Sequence, residues 1–355
     1  MRYTAETRVL RVNPDHPEPE VIQAAAEVIR AGGLVAFPTE TVYGLGANAT
    51  DPDAVDRIFS AKERPPVDPL IVHIAAVDQL ATVALELPTI AHDLTVLMPG
   101  PLTLILKRHP RIAPGVSAGL ATVGVRVPSH PVAHALIAAA GVPIAAPSAN
   151  RFSRPSATTA AHVFEDLAGH VDIILDGGAA PLGIESTIVD VTSNPPRILR
   201  YGAVKPETFE ALGFIVEAPL DAIDDGSARP APGMLLKHYS PRAQVCFYGD
   251  DSPLDAIIEQ MRSDARDLAN QGLRVGVLAP NQEVAHFADV QAIVVALGAD
   301  MDEIAARLFA ALRELDRQSV DVILAHGYAR TGIGAALCER LLRAAEGEII
   351  RVGKM

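Results

Sequence analysis

A chain of 355 residues with 49% hydrophobic and 21% charged side chains is a folded protein long enough for two cores. Its formal net charge of -13 argues against a non-specific nucleic-acid coat, which needs a broad cationic surface; a local RNA contact stays open. Two cysteines, Cys246 and Cys338, exclude a disulfide framework or a cysteine metal site, and with no run of eighteen apolar residues and no signal-peptide core, a cytoplasmic protein away from membranes is expected.

In chain order, Val21, Ile22, Ala25, Val28 and Ile29 recur at helical spacing and predict a helix over 19–31, stopped by Gly32-Gly33. Residues 34–37 (LVAF) read as a short buried strand, after which 38–46 (PTETVYGLG) supplies two threonine hydroxyls and two glycines. Asp51 is placed to cap a second helix carrying Val55, Ile58 and Phe59, which gives out around Lys62 and Arg64 before Pro65-Pro66. Strands are expected at 70–74, 102–106, 123–127, 171–175 and 186–190, with a helix at 133–140. Residues 219–242 form no regular pattern and read as a domain linker. Beyond them, strand 244–248, helix 254–269, strands 275–278 and 292–297, helix 301–315, strand 320–324 and helix 334–344 alternate as in a small parallel, Rossmann-like domain. The expected class is α/β, with domains at 1–218 and 243–355 joined by 219–242.

The charge is unevenly placed. From Leu94 through Phe164 there is no Asp or Glu, while Lys107, Arg108, Arg111, Arg126, Arg151 and Arg154 all fall inside. Converging cations suit a concave site for phosphate or carboxylate; solvated surface charges are the alternative for any one of them. Lys62 and Arg64 would not share a helix face, but at a helix end they could converge, one as a point charge and one as a bidentate fork. Taken alone, His73 in an apolar strand reads as a core imidazole. Ser148-Ala149-Asn150 reads as a turn at a helix start, or as an extended segment aiming two polar side chains one way. Residues 183–188 (GIESTI) put three polar side chains at a strand mouth. The spacing of 327–334 (GYARTGIG) fits neither the dinucleotide fingerprint nor a Walker loop, and reads as a tight turn, with anion binding as the second reading. No metalloprotease, nucleophile-elbow or kinase signature is present, so covalent catalysis has no candidate.

Together, PTETVYGLG at 38–46, KERPPVDPLIVHI at 62–74, VGVRVP at 123–128, APSANRFSRPSATT at 146–159, GIESTIVD at 183–190, LRYG at 199–202 and PGMLLKHYSP at 232–241 resemble the threonylcarbamoyl-AMP synthase family in its longer, two-domain form. The resemblance covers the first domain nearly end to end. It implies a twisted mixed-sheet, YrdC-like catalytic domain around a basic cavity, followed by a small Rossmann-like domain. It implies synthesis of L-threonylcarbamoyl-AMP and pyrophosphate from L-threonine, bicarbonate and ATP with Mg²⁺. Other proteins of the tRNA-modifying machinery would then transfer the group to the adenosine beside the anticodon. The family's signature residues match Lys62, Arg64, Ser148 and Asn150. By the same resemblance Thr41, His73, Arg126 and Ser186 would surround threonine, with Arg126 at its carboxylate. Arg64, Asp68, Thr122, Asn150, Thr158, Arg200 and Tyr239 would serve the nucleotide, Lys62 would steady developing charge, and Tyr239 with its neighbours would act as a gate. Mg²⁺ would be held mainly by ATP phosphates and water, because no carboxylate cluster marks a protein cage.

The chain departs from the family pattern at Asp68, often asparagine; at Phe152-Ser153, usually serine-glycine; at Ala157, usually proline; and at Leu235 and Leu236, where polar residues are common. A carboxylate at 68 would repel triphosphate unless an arginine or Mg²⁺ intervenes. Two readings compete with the synthase. The related domain of carbamoyl-transferring hydrogenase maturation proteins comes with cysteine-rich zinc fingers, which two cysteines cannot supply. A non-catalytic RNA-binding module using the same basic hollow is weakened by the sparse aromatic supply of nine Phe, six Tyr and no Trp.

Overall fold

The computed structural model describes residues 6–219, 229–234, 238–249 and 252–352. They divide into two units, one within 1–152 and 156–235 and the other within 153–155 and 236–355. Among the described residues no helix is long and apolar enough to cross a membrane.

The first unit is built on a ten-stranded mixed sheet. Its strands are β1 (Arg8–Arg11), β2 (Val35–Phe37), β3 (Gly44–Asn48), β4 (Ile71–His73), β5 (Leu102–Lys107), β6 (Thr122–Arg126), β7 (Ile144–Ala145), β8 (Ile173–Asp176), β9 (Thr187–Asp190) and β10 (Arg197–Arg200). They lie in the order β1-β8-β2-β3-β7-β4-β6-β5-β9-β10. The helices are α1 (Pro19–Arg30), α2 (Pro52–Lys62), α3 (Leu80–Val83), α4 (Thr89–Leu94), α5 (Pro131–Ala140), α6 (Ala160–Leu167) and α7 (Pro206–Ala211). Strand alternation divides the core. Ala36 of β2 faces the cluster holding Val55 and Ile58 of α2, while Val35 and Phe37 face the one holding Ile22 and Ile29 of α1. The Asp51 carboxylate caps α2 by accepting from the N–H groups of Asp53 and Ala54.

Three strands escape the hydrophobic pattern. β3 carries glycines where apolar residues would signal a strand; at Gly46 a Cβ would stand 2.7 Å from the Phe37 ring and 2.8 Å from Ile144, so only glycine lets β3 fit between its neighbours. β1 and β10 are four-residue strands that begin and end on arginine, and no apolar run marks either. Within 219–242, residues 229–234 belong to the first unit and 238–242 to the second, while 220–228 and 235–237, including Leu235 and Leu236, lie outside the described residues.

The second unit holds β11 (Gln244–Tyr248), α8 (Leu254–Asn270), β12 (Val275–Ala279), β13 (Ala292–Ala296), α9 (Met301–Arg317), β14 (Val322–His326) and α10 (Gly332–Ala344). All four strands are parallel, in the order β11-β14-β12-β13. The last strand begins two residues later than its apolar run suggests. Tyr239 is buried in this unit, its ring stacked on Phe309 at 5.2 Å with the Arg340 guanidinium 5.5 Å from its centre.

Candidate active site

Residues paired across neighbouring strands point to the same side of a sheet. The register pairs His73 with Arg126, Ile71 and Ile105 with Gly124, and Thr103 with Ile188. One sheet face therefore carries His73, Thr103, Thr122 and Arg126, with Ser186 one step before β9. Gly124 lies among them; a Cβ there would come within 3.2 Å of Thr103 and 3.5 Å of Ile71 and Ile105, so the glycine keeps the middle of this face low. Residues 229–234 lie on its apolar part. Ala231 is fully buried with Ile71, Ile105 and Ile188, Arg229 donates its backbone N–H to the Val67 carbonyl, and the Pro232 carbonyl accepts from Arg200 Nη1.

Arg126, the last residue of β6, is held on three sides. Its Nε donates to the Gly100 carbonyl at 3.2 Å, Nη1 to Thr41 Oγ1 at 2.9 Å, and Nη2 meets Glu40 Oε1 at 2.6 Å. Burial is the largest influence and raises the Glu40 pKa, but the Arg126 charge and hydrogen bond, together with the backbone N–H groups of Glu40 and Ser129, outweigh it and hold the carboxyl below its ordinary value. Beside them His73 Nδ1 donates to the Ile71 carbonyl at 3.2 Å; burial first, then the Arg126 charge, push its pKa down to about 3, so the ring is neutral. Ser186 Oγ lies 2.8 Å from Thr103 Oγ1 and accepts from Arg200 Nη2 at 3.2 Å.

Lys62 and Arg64 are brought together by the end of α2. Glu63 takes a left-handed φ of 55° and stops the helix. The buried Lys62 ammonium donates to the carbonyls of Ser148 and Asn150, tying one half of the signature to the other. Arg64 donates to the carbonyls of Asp68 and Pro69 and meets Asp68 Oδ2 at 2.9 Å. An arginine thus does intervene at Asp68. Burial raises this carboxyl's pKa, opposed by Arg64 first and then by the Gly233 N–H, Lys62 and Arg200. Lys62, Arg64, Arg126 and Arg200 against Glu40, Asp68 and Glu185, all buried, leave these side chains net positive.

The remaining candidates are placed as follows. Thr158 Oγ1 lies 3.3 Å from His162 Nδ1, next to the Ser156–Glu185 hydrogen bond of 2.6 Å. Thr122 sits four residues before Arg126, about 13 Å along β6, where it pairs with Lys107. Of the six cations between 94 and 164, only Arg126 joins the buried group of His73, Thr103 and Ser186; Lys107 shares the face by register but stands exposed at its edge. Lys107 and Arg151 pair at the surface with Glu86 and Glu63, Arg108 braces the Ile112 and Leu120 carbonyls, Arg111 is exposed, and Arg154 meets Asp316 in the second unit. Glu40 and Thr103 carry no role in the sequence motifs. Glu40 stands between the two threonines of 38–46 and Thr103 is the one polar residue inside an apolar strand, which is the signal each offered.

Comparison with known proteins bears on this arrangement. A family profile described as "Telomere recombination" matches residues 27–202, and one described as "Threonylcarbamoyl-AMP synthase, C-terminal domain" matches 204–346. The threonylcarbamoyl-AMP synthase of Pyrococcus abyssi is 44% identical over 93% of this chain and 96% of its own length, and that of Bacillus subtilis 41% over 94% and 95%. The crystal structure of P. abyssi Sua5 complexed with L-threonine superposes with a TM-score of 0.90 at 42% identity, covering 98% of this chain and all of that one.

Proposed function

The chain belongs to the threonylcarbamoyl-AMP synthase family, and we propose that the sheet face carrying Arg126 and Glu40 is where it joins L-threonine, bicarbonate and ATP into L-threonylcarbamoyl-AMP and pyrophosphate. The observation that carries this reading is the buried ion pair itself. A guanidinium and a carboxylate 2.6 Å apart, bordered by the Thr41 and Ser186 hydroxyls and a neutral His73, offer opposite charges to the two ends of a zwitterionic amino acid and hydrogen-bonding groups to its hydroxyl. The P. abyssi relative was crystallised with L-threonine.

In this reading Arg126 takes the threonine carboxylate and Glu40 faces the amine. The amine, as free base, attacks CO₂, whose C–O π pair moves onto oxygen as the nitrogen gives up a proton to solvent, or attacks bicarbonate, whose C–OH bond breaks and whose hydroxide leaves as water with that proton; either route gives the carbamate. A carbamate oxygen then attacks the α-phosphorus, the bond to the bridging oxygen breaks, and pyrophosphate leaves with that electron pair. No protein nucleophile takes part; orientation and charge neutralisation do the work. Lys62 steadies the developing charge and fixes Ser148 and Asn150, while Arg64, Asn150 and Arg200, with Asp68, Thr122 and Thr158, serve the nucleotide. Mg²⁺ arrives with ATP: Glu40 and Asp68 are each engaged by an arginine, and among the described residues no group of three or more possible ligands gathers, so the donor set does not fit a protein cage. Residues 229–234 cover part of the face and help keep water from the labile carbamate. Domains at 1–218 and 243–355 with a connecting 219–242, a cytoplasmic setting, and delivery of the product to the tRNA-modifying machinery complete the reading.

The test is pyrophosphate release from MgATP with and without L-threonine and bicarbonate, with mass detection of the adenylate. Release is expected only with both co-substrates. Folded protein that releases pyrophosphate without threonine, or none with it, would refute the proposal.

A further inference from the structure

The second unit encloses a cavity that this synthesis does not use. Helix α8 packs with Ile257, Ile258 and Met261 against Val275 and Val277 of β12, whereas Gly276 of the same strand faces Leu315 of α9, and α10 packs beside α9. Two neighbouring strands, β11 and β14, thus send the chain to opposite faces, into α8 and α10. Such a divergence opens a crevice at the carboxyl ends of the strands, the place where open parallel sheets receive ligands. A cavity of about 620 Å³ lies there, within the range of small-molecule sites.

One wall is a charged pair withdrawn from water. His326 Nε2 lies 2.7 Å from Glu283 Oε2, and its Nδ1 lies 2.7 Å from the Gly327 carbonyl. Both ring nitrogens face acceptors, an arrangement that suits the doubly protonated imidazolium. Burial is the largest influence and opposes that charge, but the Glu283 hydrogen bond and charge, together with the Gly327 carbonyl, outweigh it and raise the His326 pKa above its ordinary value. Desolvating such a pair is costly, and here it lines a cavity rather than a packed core. The rim is the segment 327–334. It leads into α10, whose N-cap Thr331 makes no side-chain cap bond, and it carries the exposed Arg330. A guanidinium beside a helix amino end suits a phosphate. Tyr328, its ring centre 5.2 Å from that of His326, and Ile257 supply aromatic and apolar surface.

We infer that this cavity is a second ligand site and takes a nucleoside monophosphate, with Arg330 and the start of α10 at the phosphate, Glu283 accepting from ribose hydroxyls, and Tyr328 and Ile257 against the base. A single phosphate is favoured because the segment lacks the Lys-Ser/Thr of a triphosphate cradle.

Met301 also lines the cavity, so its ¹³C-labelled methyl reports occupancy there in the full chain. Titration with AMP is expected to move that signal saturably, with Met301→Leu assigning the peak. Arg330→Ala, at an exposed position, should weaken the response about tenfold or more, as loss of a charge-assisted contact does. Inorganic phosphate at equal concentration should move it far less. A Met301 signal indifferent to millimolar AMP, an equal response to phosphate, or an unchanged affinity in Arg330→Ala would overturn the inference. AMP held only in the first unit leaves this methyl still, so failure here is read separately from failure of the synthase reading.

Discussion

Replacing Arg126 with alanine should do two separable things. Arg126 and Glu40 are 4% and 7% exposed, so removing the guanidinium strands a carboxylate away from water. Breaking a buried pair in this way costs about 3–5 kcal/mol, a large share of the 5–15 kcal/mol that holds an ordinary domain together. Glu40→Gln should cost less, because Arg126 keeps the Thr41 hydroxyl and the Gly100 carbonyl. The double variant Glu40→Gln/Arg126→Ala buries no lone charge and should be more stable than Arg126→Ala alone, giving a coupling of about 2 kcal/mol or more in the cycle. Urea unfolding of the four proteins measures this. The double variant, being folded, then allows the ligand question: threonine binding by calorimetry should weaken at least about tenfold, since a charge-assisted contact contributes about 1.5–3 kcal/mol, while ATP binding changes little. Additive stability losses would refute the buried pair. Equal loss of threonine and ATP would refute the carboxylate role.

Three further outcomes are expected. His73 is neutral in the fold with a depressed pKa, so between its folded and unfolded values the unfolded chain binds the extra proton; its stabilising contribution is complete above about pH 6.5 and falls with pH below it, by up to about 1.4 kcal/mol per pH unit. His73→Gln should flatten the acid limb of a stability–pH profile by that amount, and an unchanged limb would show that the ring is not buried neutral. Ala231→Asp places a carboxylate among Ile71, Ile105 and Ile188 and should lift 229–234 from the face, lowering pyrophosphate release at least about tenfold while calorimetry shows the unit still folded; full activity would show that this cover is dispensable. Ser153 holds a left-handed φ of 64°, which costs a non-glycine residue about 1 kcal/mol. Ser153→Gly should therefore raise the unfolding midpoint slightly, and a lower midpoint would mean that the serine's contacts matter more than its backbone.

The family motifs carry the synthase reading in the sequence itself, and the parts of the fold built from near neighbours are equally legible there. The α2 helix is bounded by Asp51 at one end and by Glu63 and the following prolines at the other, and the convergence of Lys62 and Arg64 follows from where that boundary falls. The alternation of the second unit is readable because its strands are short apolar runs and its helices repeat apolar residues at helical spacing, although α9 and α10 also bury Arg313, Asp316 and Arg340. Charge counting was less informative: five of the six cations in the acid-free stretch turned out to serve the surface, backbone carbonyls or the second unit.

Local periodicity, capping and turn chemistry depend on residues a few positions apart, so α1 and α2, the apolar strands, the α/β class and the signature residues are legible in the chain alone. The tertiary structure alone decided that Glu40 meets Arg126, that Ser186 meets Thr103, that Lys62 holds the carbonyls of Ser148 and Asn150, and that Ala231 covers Ile71. Each of these contacts joins residues roughly 80 to 160 positions apart, brought within reach by the order and register of the strands that carry or flank them. Register is set by how strands fit together across the whole sheet, and a shift of one residue in a strand would turn His73, Thr103 or Arg126 to the other face.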